Sequence, residues 1–167
     1  MSTATSVPLT DYLKTSYRPD REYIDGELLE RNVGEWEHSD LQTAIAAYLR
    51  QRRNELGIQV VVEQRVQVKP TRFRIPDVTV LVGPRPAGGI VTDPPFLCIE
   101  ILSPEDRIRE MRERVDDYLN FGVRYVWVID PVIRRASIYS GQGVREVHDG
   151  VFSTESPNIV VRLADLE

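Results

Sequence analysis

Phe96-Leu97-Cys98-Ile99-Glu100-Ile101-Leu102 is a strand-forming apolar run with one carboxylate inside it. Ser103-Pro104-Glu105-Asp106 follows with the chemistry of a helix start. Serine caps, proline takes a first-turn position where its missing N–H costs nothing, and an acid stands three residues after the cap. Ile108, Met111, Val115 and Leu119 then recur at helical spacing as a buried stripe, and Gly122 closes the helix. Tyr125-Val126-Trp127-Val128-Ile129-Asp130 is nearly continuous apolar chain, the pattern of a strand covered on both faces. Strand, helix and strand in this order predict a right-handed crossover between parallel strands.

Upstream, Arg74-Ile75-Pro76-Asp77-Val78-Thr79-Val80-Leu81-Val82 is a second apolar segment carrying one carboxylate. It ends a strand read from Phe73 to Val82, paired across a Pro70-Thr71 turn with a long strand from Ile58 to Val68. Gly83 to Pro95 is rich in glycine and proline and reads as a loop. Leu41, Ala44, Ile45, Tyr48, Leu49 and Leu56 share one face of a helix read from Ser39 to Leu56, stopped by Gly57. Asp25-Gly26 between Tyr23-Ile24 and Glu27-Leu28-Leu29 is the signature of a tight hairpin. Leu9 to Ser16 reads as a short helix, and the chain beyond Pro131 as short strands joined by turns. The sum is an α/β protein: a mixed sheet flanked by helices.

The chain has 167 residues, enough for a single domain over residues 1–167 with its core at about 20–140. Hydrophobic content of 41% with 28% charged residues argues against disorder. No run approaches the ~20 apolar residues of a membrane helix, and Met1 to Thr5 lacks the basic start and apolar core of a leader. The lone Cys98 reads as packed rather than reactive, which points to a reducing, cytoplasmic setting. Net charge is −5, against the basic footprint usual for nucleic-acid binding. Arginines do cluster, at Arg50, Arg52 and Arg53 and at Arg107, Arg109, Arg112 and Arg114, whereas Lys14 and Lys69 are the only lysines.

A carboxylate in an apolar strand needs a donor, a cation or a metal. Asp77 and Glu100 on successive strands suggest a shared ion, and their oxygen ligands suit Mg²⁺ or Mn²⁺. Without the ion the pair should repel, raise one pKa and cost the fold stability, so Asp77→Asn is expected to leave the metal-free protein equally or more stable. Glu37 and Glu63 are candidates for a third carboxylate. His38 reads as a second-layer site residue or a helix cap, His148 as exposed, Asp130 as a strand end, and Trp127 as core.

Pro76-Asp77, Glu100-Ile101-Leu102-Ser103-Pro104, Asp25-Gly26-Glu27-Leu28, His38, Tyr118 and the block Gly122-Val123-Arg124-Tyr125-Val126-Trp127-Val128-Ile129-Asp130-Pro131 together resemble the PD-(D/E)xK nuclease superfamily. More narrowly, they resemble its Uma-type restriction endonuclease family, from about Tyr23 to Tyr139. The resemblance implies a restriction-endonuclease-like fold and phosphodiester hydrolysis in DNA. It also implies Mg²⁺ or Mn²⁺ on Asp77, Glu100 and the Ile101 carbonyl, and a homodimer facing the two strands of a duplex. The superfamily's lysine would stand at Leu102. In the narrower family a lysine four residues before the tyrosine takes over, and Arg114 occupies that place. Arginine keeps the charge but cannot act as a base. Arg107, one heptad earlier, is expected on the same side. Three readings follow: a metal-dependent endonuclease with catalytic residues Asp77, Glu100, Arg114 and His38; an impaired nuclease fold serving as a nucleic-acid-binding or protein-interaction module; or a non-nuclease metal hydrolase, which the spacing alone also allows.

Overall fold

The computed structural model describes residues 6–32 and 34–167; the reading of Met1 to Thr5 lies outside them. Helix α1 (Leu9–Lys14) precedes the hairpin β1 (Arg21–Ile24) and β2 (Glu27–Glu30). Helices α2 (Trp36–Gln51) and α3 (Arg53–Leu56) follow, then β3 (Ile58–Val62), β4 (Val66–Lys69), β5 (Arg72–Arg74) and β6 (Val78–Val82). Next come β7 (Leu97–Ile101), α4 (Ile108–Phe121), β8 (Tyr125–Ile129), β9 (Ala136–Ser140) and β10 (Gly143–Val147). The hairpin β11 (Val151–Ser153) and β12 (Val160–Arg162) leads to a closing 3₁₀ turn, Leu163–Leu166.

A six-stranded sheet in the order β10-β9-β8-β7-β6-β3 carries the core. Only β7 and β8 run parallel, joined through α4 as the strand-helix-strand reading requires. Alternation along β7 divides its side chains between the two faces. Leu97, Ile99 and Ile101 pack with Ile45 and Leu49 of α2 and with Trp127, Phe152 and Val161. Cys98 packs with Met111, Val115 and Tyr118 of α4. A second sheet, β2-β1-β5-β4, lies over α1, with Tyr12, Tyr23 and Phe73 forming its own small core.

Several boundaries differ from the sequence reading. The helix read over Ser39 to Leu56 begins at Trp36 and is interrupted at Arg52, which divides it into α2 and α3. The expected long strand is broken at Glu63, whose positive φ of 49° turns the chain, so β3 and β4 belong to different sheets. The partner strand is likewise divided at Ile75–Asp77 into β5 and β6. Helix α4 does not start at Pro104. Asp106 accepts the Ser103 N–H at 2.6 Å in an isolated turn, Arg107 is extended (ψ 134°), and the helix begins at Ile108. Ile108 is consequently 74% exposed, outside the buried stripe that Met111, Val115 and Tyr118 form. Gly122, at φ 111°, ends α4 in a conformation few side chains tolerate.

Candidate active site

The register of β6 against β7 pairs Val78 with Ile99. The pairing stops there: Asp77 stands in the bend that leads into β6, and its carboxylate is near enough to raise the Glu100 pKa. One residue earlier stands Pro76, which has no N–H to continue a ladder. The Ile101 N–H donates to Asp77 Oδ2 at 2.7 Å. The Pro-Asp pair thus performs two tasks: it ends the ladder and supplies a carboxylate to the Ile101 N–H.

Both acids are 1% exposed and neither is left alone. Asp77 Oδ1 accepts from Arg31 Nη2, and His38 Nε2 stands 3.3 Å from Oδ2. Burial pushes the Asp77 carboxyl up, but His38 and Arg31 outweigh it and hold its pKa below the usual value. The His38 pKa is raised, chiefly by its hydrogen bond to Asp77. Gly34 allows this approach: a Cβ there would lie 3.0 Å from His38 Nδ1. Gln42 Nε2 donates to the Asp77 carbonyl at 3.0 Å, fixing the backbone as well.

Glu100 is held differently. The Tyr118 hydroxyl donates to its Oε1 at 2.5 Å, and Arg114 Nη1 lies 3.7 Å from Oε2. Burial is the largest influence and pushes the Glu100 carboxyl up to about 7; the Asp77 charge adds to the rise and Arg114 opposes it. The expected pKa splitting of the pair is therefore present, with Glu100 as the raised member.

Glu37 and Glu63, the candidates for a third carboxylate, are both exposed, and the further acid in the buried charge network is Glu22. Glu22 is wholly buried in β1. It accepts from Ile75 N at 3.0 Å and from Arg74 Nη1 at 2.8 Å, and Arg114 Nε lies 3.4 Å away. Arg74 continues to Asp117, which Arg72 also reaches at 2.9 Å. A chain of charges, Asp117–Arg74–Glu22–Arg114–Glu100, thus links the second sheet to the site. The sequence reading missed Glu22 and Arg31, and it quoted Tyr118 as a motif residue without its role as donor to Glu100. Glu22 carried a usable signal, an acid against the apolar Tyr23-Ile24 of a short strand; Arg31, in a connection without periodicity, carried none.

Arg114 faces the site and is 6% exposed, whereas Arg107 is exposed and caps α4 without contacting Glu100. His148 is exposed, and Asp130 ends β8 by accepting the Val132 and Ile133 N–H groups. Trp127 is fully buried against Phe152, and Cys98 is buried and unpaired.

Among the described residues no three His, Cys, Asp or Glu side chains are arranged to hold a metal. A donor set of two carboxylates and the Ile101 carbonyl is still all hard oxygen, which suits Mg²⁺ or Mn²⁺. The buried acids Glu22, Asp77, Glu100 and Asp117 all have arginine partners: Arg31 on Asp77, Arg74 on Glu22 and Asp117, and Arg114 on Glu22 and Glu100. For Asp77 these contacts favour a stabilising charge over the cost expected of a bare carboxylate pair.

Searching curated proteins returns no match. Among solved structures, the crystal structure of a putative nuclease belonging to DUF820 from Anabaena variabilis ATCC 29413 superposes with a TM-score of 0.82 at 22% identity, covering 96% of this chain and 97% of that one. At this identity the likeness establishes the fold, the α/β architecture of mixed sheet and flanking helices. The Uma2 family model, described as putative restriction endonuclease, matches residues 10–163, which extends the resemblance at both ends and takes in the C-terminal hairpin. The chain belongs to the Uma2 family and has the fold of a nuclease.

Proposed function

We propose that this chain is a divalent-metal-dependent endonuclease that hydrolyses phosphodiester bonds in DNA. The observation that carries the reading is the pair of buried, electrostatically interacting acids Asp77 and Glu100, with Asp77 hydrogen-bonded to the N–H of Ile101, the residue after Glu100. Mg²⁺ or Mn²⁺ would be held by Asp77, Glu100 and the Ile101 carbonyl. When bound, such an ion polarises the phosphate and lowers the pKa of an attacking water. The remaining work falls to the chain. Tyr118 fixes Glu100 through Oε1, and His38 and the Ile101 N–H fix Asp77 through Oδ2. Arg114, held by Glu22, presents fixed positive charge beside Glu100, where negative charge develops on the phosphate. It donates only, so a proton must leave through water or Glu100 rather than through Arg114. Plasmid nicking tests the reading: cleavage with Mg²⁺ or Mn²⁺ by the parent and none by Asp77→Ala or Glu100→Gln supports it. Metal-independent or absent cleavage rejects it.

A second reading, a binding module without turnover, is favoured by one observation. Each of the four acids buried among the described residues, Glu22, Asp77, Glu100 and Asp117, already has an arginine partner, and at Glu100 that partner, Arg114, stands where a lysine was expected. Retention of DNA by a parent that cleaves under no metal would select it. In the nuclease reading the protein acts in the cytoplasm as a homodimer, one site for each strand of a duplex. Sedimentation with and without a short duplex measures that stoichiometry.

A further inference from the structure

Resting on the metal reading above, we infer that Arg31 is the resident counter-ion of the metal site: its guanidinium and the divalent cation occupy Asp77 Oδ1 in turn. The argument begins with the four carboxylate oxygens. Asp77 Oδ2 is committed to the scaffold through the Ile101 N–H and His38. Glu100 Oε1 is committed to Tyr118. Glu100 Oε2 has only the longer contact with Arg114, at 3.7 Å. Oδ1 of Asp77 is therefore the oxygen through which Asp77 would meet an ion, and Arg31 Nη2 is on it.

The two arginines of the site are mounted differently. Arg114 is carried by α4, on the face packed against the sheet, and reaches both Glu22 and Glu100. Arg31 is carried by the connection between β2, which ends at Glu30, and α2, which begins at Trp36. Its side chain is 12% exposed and that of Arg114 8%, so the two differ in mounting rather than in burial. Among the described residues Asp77 is the one ion-pair partner of Arg31, so release of that contact frees the guanidinium without moving a sheet strand or α4. Arg114 cannot leave without withdrawing a cation from two buried carboxylates, Glu22 and Glu100. The exchange also keeps a cation among the carboxylates. Arg31 senses Asp77, Glu100 and Glu22 together, and those carboxylates outweigh the burial that disfavours its charge. Withdrawal of its single positive charge leaves negative charge that attracts a divalent cation, which brings one charge more than Arg31 removes.

Two consequences follow. Affinity for metal is held down by the resident cation, and the metal-free site is kept intact by it. Both are read by Mn²⁺ titration calorimetry on the purified chain, with parent, Arg31→Met, Arg31→Gln and Arg31→Lys compared. The neutral variants are expected to bind Mn²⁺ about ten- to a hundredfold more tightly than the parent, and Arg31→Lys to bind as the parent does. Thermal melts in EDTA are expected to show the neutral variants less stable than the parent, with Mn²⁺ restoring the difference. Circular dichroism confirms that each variant is folded before titration, and Arg31→Gln, which keeps a polar donor, serves where Arg31→Met fails to fold. If parent and neutral variants bind Mn²⁺ with equal affinity, the exchange is refuted while the metal reading stands. If binding weakens in the neutral variants, Arg31 supports the ion instead of competing with it, and the exchange is again refuted. If none binds Mn²⁺, the metal reading falls and the inference falls with it.

Discussion

Asp77→Asn in the metal-free protein separates a repelling carboxylate pair from a compensated one. The substitution keeps an oxygen for the Ile101 N–H but removes the charge that Arg31 and His38 address. Breaking a buried ion pair costs about 3–5 kcal/mol when the partner is left uncompensated. Two features lower that figure here. The Arg31 guanidinium is freed by loss of the Asp77 contact, and Glu100 loses the neighbour whose charge raises its pKa. About 2 kcal/mol remains, which for a chain of this size lowers Tm by roughly 4–8 °C. The pH dependence carries its own sign. The Asp77 pKa is depressed in the folded state, so its contribution is present above the unfolded value of 3.8 and is lost as pH falls through the folded value. The gap between parent and variant should therefore persist from neutrality down to about pH 4 and close only below the unfolded value of 3.8. Melting of the metal-free protein at pH 7 and at about pH 2 measures it. An Asn variant equal to or more stable than the parent at pH 7 refutes the counter-ion account and restores the repulsive one.

Other perturbations probe different parts of the site. Arg114→Lys should preserve or raise cleavage, while Arg114→Ala should lower it by roughly one to three orders of magnitude, assayed by nicking at a temperature where circular dichroism shows the variant folded; cleavage by Arg114→Ala equal to the parent's removes Arg114 from the mechanism. Glu100 carries a folded pKa of about 7 against 4.5, so its stabilising contribution is complete below pH 4.5 and is lost as pH rises through 7. The raised His38 pKa acts in the same direction above 6.5, so urea denaturation of the metal-free parent should give lower stability at pH 8 than at pH 5, by on the order of 2–3 kcal/mol. A flat profile contradicts both assignments. Tyr118→Phe removes the donor to Glu100 and should cost about 1–3 kcal/mol at pH 8, where Glu100 is ionised, and less at pH 5; equal costs at both pH values place the effect in packing instead.

Much of this fold is legible because periodic patterns are local. The Asp25-Gly26 hairpin, the α2 stripe and the β7–α4–β8 unit were each readable from spacing. Asp77 and Glu100 stood out for the same reason, as single charges in apolar strands. What escaped was set by contacts distant in sequence. Nothing near Glu63 announces a positive φ, because the residue is not glycine, so the division between β3 and β4 was invisible. The helix start at Ser103-Pro104 was legitimate chemistry applied to the wrong element: Asp106 spends its carboxylate on the Ser103 N–H within one turn. Glu22 and Arg31 reach the site from the second sheet and its following connection, and only the packing of that sheet brings them to α4 and β6. The counter-ions, and with them the sign of the stability effect at Asp77, are therefore properties of the tertiary structure.

Diffraction at the manganese absorption edge, from crystals grown or soaked with Mn²⁺, tests the central claim most directly. The account predicts an anomalous peak within about 2.0–2.3 Å of Asp77, Glu100 and the Ile101 carbonyl, with the Arg31 guanidinium withdrawn from Oδ1. A fully soaked crystal with no peak there, and Arg31 still on Asp77, would contradict it.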